Sequence, residues 1–118
     1  MTRGLSHHSS FRLYYIARVL GASVIPLHDG SVDKTIYTRQ ADRLRETIVE
    51  LRRAAGLNQR QLAAKLGRER NLVGRLETGQ RRLDLVEFYW VCKACGTDPK
   101  RAAKRLLQEF HAIEAEQT

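Results

Sequence analysis

The chain has 118 residues and a formal charge of +8, since 21 lysines and arginines face 13 aspartates and glutamates. This length allows one domain with a modest core. Two cysteines are too few for the disulfide framework of a small secreted protein, and the longest apolar stretch, Leu13 to Leu27, is shorter than the roughly 20 residues of a membrane-spanning helix. We therefore expect a cytoplasmic protein, not a membrane protein, whose basic charge favours a polyanion such as nucleic acid.

The positive charge is concentrated in the middle of the chain. Residues 39–110 carry seventeen basic and nine acidic side chains, residues 1–38 carry four and two, and residues 111–118 carry none and two. Serine, histidine, glycine and proline interrupt residues 1–38, so we expect a weakly ordered extension there. Because Met1 is the only methionine, a second hypothesis is that this extension is over-annotated and that translation starts at Val32. The predicted organisation is an extension at 1–38, a domain at 39–110 and an acidic tail at 111–118.

Two helices are predicted at the start of the domain. Leu44, Ile48, Leu51 and Ala55 lie on one stripe of a 3.6-residue period, which indicates a helix over about residues 40–55. Gly56 can end that helix in a left-handed conformation, and Asn58 can cap a second helix at about 59–66.

Three more helices follow, and glycines again separate them. They are predicted at about 70–78, at 85–95 and after Thr97, where Pro99 suits a first turn. No segment alternates with period two over a length that would indicate a sheet, so the fold class is all-α. The side chains of these four later helices expected in the core are Leu62, Ala63, Leu66, Val73, Leu76, Phe88, Val91, Cys92, Cys95, Ala103, Leu106, Leu107 and Phe110.

The second and third helices carry a recognisable motif. The segment from Gln59 to Gly67, followed by the segment from Arg68 to Glu77, resembles the helix-turn-helix of the lambda-repressor-like, Xre-type DNA-binding family. The resemblance covers about residues 42–110. It depends on the core positions Leu62, Ala63, Leu66, Gly67, Val73 and Leu76 and on the connection Gly56-Leu57-Asn58-Gln59. It implies a five-helix domain whose third helix lies in the major groove of DNA.

The resemblance implies that residues of the third helix facing away from the core meet base edges. These candidate base-contacting residues are Arg70, Asn71, Gly74 and Arg75. An arginine fork reaches O6 and N7 of guanine together, and an asparagine matches the donor and acceptor of adenine. Gly74 stands where the family often has a small hydroxyl residue, and it removes a contact.

The resemblance also implies contacts to the DNA backbone, with Gln59 as a clamp where the helix N-terminus favours a phosphate. The candidate phosphate-contacting residues are Gln59, Arg60, Arg68, Glu69, Thr78, Gln80, Arg81 and Arg82. Glu69 is an acid at this surface, so it either accepts a hydrogen bond from a cytosine amino group or caps the third helix, and capping is favoured. Arg52 and Glu77 stand where the family pattern implies a structural ion pair between the first and third helices.

No catalytic, cofactor or metal site is predicted. Cys92 and Cys95 have a CxxC spacing, but both fall on the core side of the fourth helix, and no histidine stands at zinc-finger spacing. No nucleophile with a neighbouring base and no phosphate-binding glycine loop is visible, so an enzyme is not expected.

The expected function is that of a transcriptional regulator, most simply a repressor that binds a palindromic operator as a homodimer. The apolar residues left for a dimer interface are Tyr89, Trp90, Leu107, Phe110 and Ile113, although Trp90 could instead cover the extension. The main alternative is the antitoxin of a toxin–antitoxin pair, which binds a toxin and contacts DNA secondarily. A third hypothesis is an RNA or general nucleic-acid binder without preference between duplexes.

Overall fold

The computed structural model describes residues 32–117, and this part of the chain contains five helices and no strand. The helices are α1 (Lys34–Ala54), α2 (Gln59–Lys65), α3 (Leu72–Thr78), α4 (Leu85–Ala94) and α5 (Pro99–Gln117). The predicted all-α, five-helix class is confirmed. Of the extension predicted at residues 1–38, residues 1–31 lie outside the described residues, so the start at Val32 stays a hypothesis. Residues 34–38 belong to α1, so the prediction of weak order is wrong for them. None of the five helices is long and apolar enough to cross a lipid bilayer.

The first helix begins earlier than the apolar stripe indicated. Asp33 caps it, because its Oδ1 accepts hydrogen bonds from the backbone N–H groups of Thr35 at 2.7 Å and Ile36 at 3.4 Å. Ile36 is also buried. A capped end and one buried contact are enough to extend α1 by more than a turn beyond the predicted start at residue 40.

The last helix continues through the residues that charge alone assigned to a tail. Residues 111–117 belong to α5, which packs against α1. Arg39 Nη2 contacts Glu116 Oε1 at 2.8 Å, and Gln40 Nε2 donates to the carbonyl oxygen of Phe110 at 3.0 Å. The final turns of α5 therefore contact the start of α1, which lies some 70 residues earlier in the chain.

A single core holds α1 to α5 together. Its buried members are Ile48, Leu62, Ala63, Leu72, Val73, Leu76, Phe88, Val91, Cys92 and Leu106. Leu44, Leu51, Leu66, Cys95, Ala103 and Phe110 pack against them as partly buried residues. Most of the predicted stripes are thus confirmed.

Three core predictions need correction. Ala55 is exposed because α1 ends at Ala54 and Ala55 is its C-cap. Leu107 is 60% exposed, since it follows the buried Leu106 and is rotated about 100° away from the core. Leu72 was not predicted in the core and is 1% exposed, because it lies one helical turn before Leu76 on the inner side of α3.

Candidate nucleic-acid interface

The outward surface of α3 carries the predicted base-contacting residues. Leu72, Val73 and Leu76 are buried, so the opposite side of this helix faces solvent. Residues Asn71, Gly74 and Thr78 fall on that side, and the flanking Arg70 and Arg75 are exposed and half-buried. We call the surface made by Arg70, Asn71, Gly74, Arg75 and Thr78 the α3 face.

A buried ion pair connects α3 to α1 behind the α3 face. Arg52 Nε contacts Glu77 Oε2 at 2.7 Å, and Arg52 Nη2 contacts Glu77 Oε1 at 3.2 Å, which makes a two-pronged contact. The side chains are only 10% and 6% exposed. Arg52 Nη1 also donates to the carbonyl oxygen of Leu57 at 2.9 Å, so the guanidinium group is held from two directions.

The side chain of Gln59 extends from the start of α2 toward α3. Its Nε2 donates to Glu77 Oε1 at 2.7 Å, and its Oε1 lies beside Gly74. Asn58 caps α2 through a reciprocal pair of hydrogen bonds with Gln61, which fixes the backbone at this end of the helix. The neighbouring Arg60 is exposed.

Glu69 does not cap α3, and the prediction of that role is wrong. The helix begins two residues later than predicted, with Asn71 at its N-cap and no side-chain cap hydrogen bond. The carboxylate of Glu69 instead lies 3.6 Å from Arg68 Nε and 3.8 Å from Arg75 Nη2. A hydrogen bond from its own backbone N–H, with these arginine charges, lowers the pKa of Glu69.

Two of the predicted phosphate contacts are already engaged with an acid on α4. Glu87 Oε2 contacts Arg81 Nη2 at 2.7 Å and Arg68 Nη1 at 3.5 Å. The hydrogen bond from Arg81 is the main cause that lowers the pKa of Glu87 to about 2. Glu87 also accepts a hydrogen bond from the backbone N–H of Asp84 at 3.0 Å. The sequence prediction missed Glu87, although the Asp84-x-x-Glu87 capping spacing was a visible signal.

The remaining candidates lie on α2, at the two ends of α3 and in the α3–α4 connection. Arg60, Arg70 and Arg82 are exposed, and none has an acidic side chain within ion-pair distance in residues 32–117. Thr78 donates its hydroxyl hydrogen to the carbonyl oxygen of Gly74 at 3.0 Å, and Gln80 is exposed in the turn after α3. Uncompensated arginines therefore lie on α2, just before α3 and in the α3–α4 connection.

The two cysteines belong to the core rather than to the exposed surface. Cys92 is fully buried and Cys95 is half-buried. Burial raises the pKa of the Cys92 thiol to about 11, which keeps it protonated at neutral pH. In residues 32–117 no group of three or more histidine, cysteine, aspartate or glutamate side chains is arranged to hold a metal ion.

Comparison with known proteins identifies this arrangement. Residues 43–104 match a family model described as a helix-turn-helix domain. Among solved structures the chain is similar to the XRE-family like protein from Pseudomonas syringae pv. tomato str. DC3000, with 39% identity, a TM-score of 0.61, and coverage of 64% of this chain and 93% of that one. No curated protein matches the chain. The predicted resemblance is therefore confirmed, and the chain belongs to the Xre-type helix-turn-helix family, whose members are DNA-binding regulators.

Proposed function

We propose that the protein is a sequence-specific transcriptional repressor that binds a palindromic DNA operator as a homodimer in the cytoplasm. The observation that carries this proposal is the α3 face, where the exposed Arg70 and Asn71 at the start of α3 and the half-buried Arg75 lie together. The Arg52–Glu77 ion pair holds this helix against α1. A short helix of this kind fits the major groove, which is about 12 Å wide and presents a distinct pattern for every base pair.

Base reading is assigned to the side chains of the α3 face. Arg70 has no competing acidic partner in the described residues, so its guanidinium fork is free to contact O6 and N7 of a guanine. Arg75 lies 3.8 Å from Glu69 Oε2, a distance at which an exposed pair contributes little and can be exchanged for a base. Asn71 makes no cap hydrogen bond, which leaves its amide free for an adenine.

Backbone contacts are assigned to the cations that flank the α3 face. Arg60 on α2 and Arg82 in the α3–α4 connection are exposed, and in the described residues neither would have to lose an ion pair to approach a phosphate. Arg68 and Arg81 must share their charge with Glu87, so their contribution to DNA affinity is expected to be smaller. Such contacts set the position of α3 in the groove and carry the salt dependence of binding.

The dimer interface is assigned to the outer side of α4. Leu85, Val86, Tyr89 and Trp90 are 78%, 66%, 43% and 54% exposed there, and the rings of Tyr89 and Trp90 meet edge to face at 5.0 Å. Exposed aromatic clusters of this kind are typical of protein interfaces.

A second copy of the chain is the occupant that fits this surface. If two α4 helices pack antiparallel about a two-fold axis, each Asp84 at the start of one helix approaches Lys93 near the end of the other. The outer side of α5 is less suitable, because its exposed Leu107 lies among Lys100 and Lys104. Phe110 and Ile113, also considered for the interface, are partly buried within the monomer.

Repression follows from occupancy in this proposal. A single short helix-turn-helix covers few base pairs, so two copies on half-sites about 34 Å apart are needed for useful specificity. A dimer bound across a promoter then excludes RNA polymerase sterically.

The test is selection of duplexes from a random DNA pool by the purified chain at near-physiological salt, followed by sizing of the selected complex. The expected result is a palindromic motif with half-sites one helical turn apart and two protein copies per duplex. Absence of any enriched motif, despite tight binding at low salt, refutes sequence-specific regulation. Co-purification with the product of an adjacent gene would then favour the antitoxin alternative.

A further inference from the structure

The centre of the α3 face has no side chain of its own, and a residue from another helix occupies the space. A Cβ atom at Gly74 would lie 3.3 Å from Gln59 Oε1 and 3.9 Å from Gln59 Cδ. Both distances are to the same amide group, and apart from the adjacent residues and the backbone of α3 itself no other atom of the described residues lies within 4 Å of that position. The amide of Gln59, which is carried by α2, therefore covers the place where the side chain of residue 74 would stand.

The orientation of this amide is determined by its neighbours. Glu77 Oε1 lies 2.7 Å from Gln59 Nε2, and a carboxylate accepts hydrogen bonds but cannot donate them when it is ionised. The nitrogen of the amide must therefore face Glu77, which leaves Oε1 beside Gly74. Glu77 is itself held by Arg52 through two contacts, so the amide rests on a fixed support.

The free atoms of the oriented amide are one acceptor and one donor. Glu77 takes one of the two Nε2 hydrogens, while Oε1 and the second hydrogen remain available. A phosphate group offers acceptors only, so it would leave Oε1 facing an anion. The major-groove edge of adenine offers the N6 amino donor beside the N7 acceptor, which complements a glutamine amide.

We propose that Gln59 is a base-reading residue, which contacts an adenine edge through the gap that Gly74 leaves in the α3 face. This proposal rests on the proposed function, and it reassigns Gln59 from the phosphate contact that the family resemblance implied. Sequence reading is then shared between α2 and α3. The glycine is required because any side chain at position 74 competes with the glutamine amide for the same space.

Two substitutions test the two halves of this arrangement. Gln59→Ala removes the reading group, and Gln59 is exposed, so the fold should be retained. Gly74→Ala places a Cβ 3.3 Å from Oε1, so the amide must move by a few tenths of an ångström. Alanine is a better helix former than glycine, so the second variant should unfold at a higher temperature than the unmodified chain while it loses base preference.

The experiment is selection from random duplexes with the unmodified chain, Gln59→Ala, Gly74→Ala and the phosphate-contact control Arg82→Ala, with affinities then measured against salt concentration. We expect both test variants to lose a preference of roughly tenfold at one adenine position in each half-site and to keep the others. Their salt slope should stay unchanged. Arg82→Ala should weaken all sequences alike and reduce the slope by about one.

The outcomes separate this proposal from the proposed function. If Gln59→Ala weakens all sequences equally and lowers the salt slope, Gln59 is only a phosphate contact and the proposal is overturned. If the unmodified chain selects a motif and both variants select the same motif, the proposal fails while sequence-specific binding stands. If the unmodified chain selects none, both are refuted.

Discussion

The buried pair of Arg52 and Glu77 gives the sharpest test of how the recognition helix is held. The substitution Glu77→Gln keeps the shape of the side chain and removes its charge. One oxygen that accepts from Arg52 or Gln59 is replaced by an NH₂ group, which then faces N–H donors. The Arg52 guanidinium keeps its bond to the Leu57 carbonyl but loses its ionic partner while it remains buried.

The expected cost follows from this burial. Removal of one partner of a buried ion pair costs about 3–5 kcal/mol, because the remaining charge is left without compensation. Both side chains are at most 10% exposed, so solvent screening gives little relief. We use the lower bound of about 3 kcal/mol because the Leu57 bond remains, and a domain of this size should then melt at least about 12 °C lower.

Thermal and urea unfolding followed by circular dichroism measure this loss. The matched control is Glu116→Gln, which breaks the ion pair between Glu116 and Arg39. The side chain of Arg39 is 40% exposed and that of Glu116 is 60% exposed. That exposed pair should contribute at most about 1 kcal/mol. A loss below about 1 kcal/mol for Glu77→Gln, or an equal loss for both variants, would refute the reasoning that burial makes the Arg52–Glu77 pair costly to break.

Three further predictions concern DNA recognition, assembly and pH. Arg70→Ala should weaken operator binding by about 1–3 kcal/mol and leave binding to random DNA little affected, whereas Arg82→Ala should weaken both alike, as measured by titrations at several salt concentrations. Equal losses of affinity for operator and random DNA in Arg70→Ala would contradict base reading. Trp90→Ser should shift sedimentation equilibrium toward the monomer without a loss of helical content, and an unchanged dimer would place the interface elsewhere. Because the pKa of Glu87 falls from its ordinary value of 4.5 to about 2 in the folded chain, its contribution to stability is present above about pH 5 and is lost as the pH falls toward 2. In Glu87→Gln the urea unfolding midpoint should therefore fall less steeply between pH 5 and pH 2 than in the unmodified chain. An identical pH dependence in the two chains would refute the assignment of this stability to Glu87.

The sequence alone was sufficient for the helix count, the helix-turn-helix and most of the core. These features follow from patterns among residues that are close in the chain, because helical spacing alone shows which side of each helix is apolar. The stripe of Leu44, Ile48 and Leu51 is visible at helical spacing. Asn58 indicates the start of α2, because its capping partner Gln61 lies only three residues later. The glycines that end the helices are also a local signal. Gly79, for example, ends α3 in the left-handed conformation with a φ of 84°.

The tertiary structure alone decided which partners the polar side chains of the site have. Gln59 meets Glu77 across 18 positions of sequence, and Arg68 meets Glu87 across 19. No periodicity encodes such pairs, because they depend on how α2, α3 and α4 cross, and the crossing is set by packing of the buried core. The length of α5 was missed for the same reason, since its last turns contact the first turns of α1. Local chemistry therefore determines the elements, while the packed core determines which charges on them are free to meet DNA.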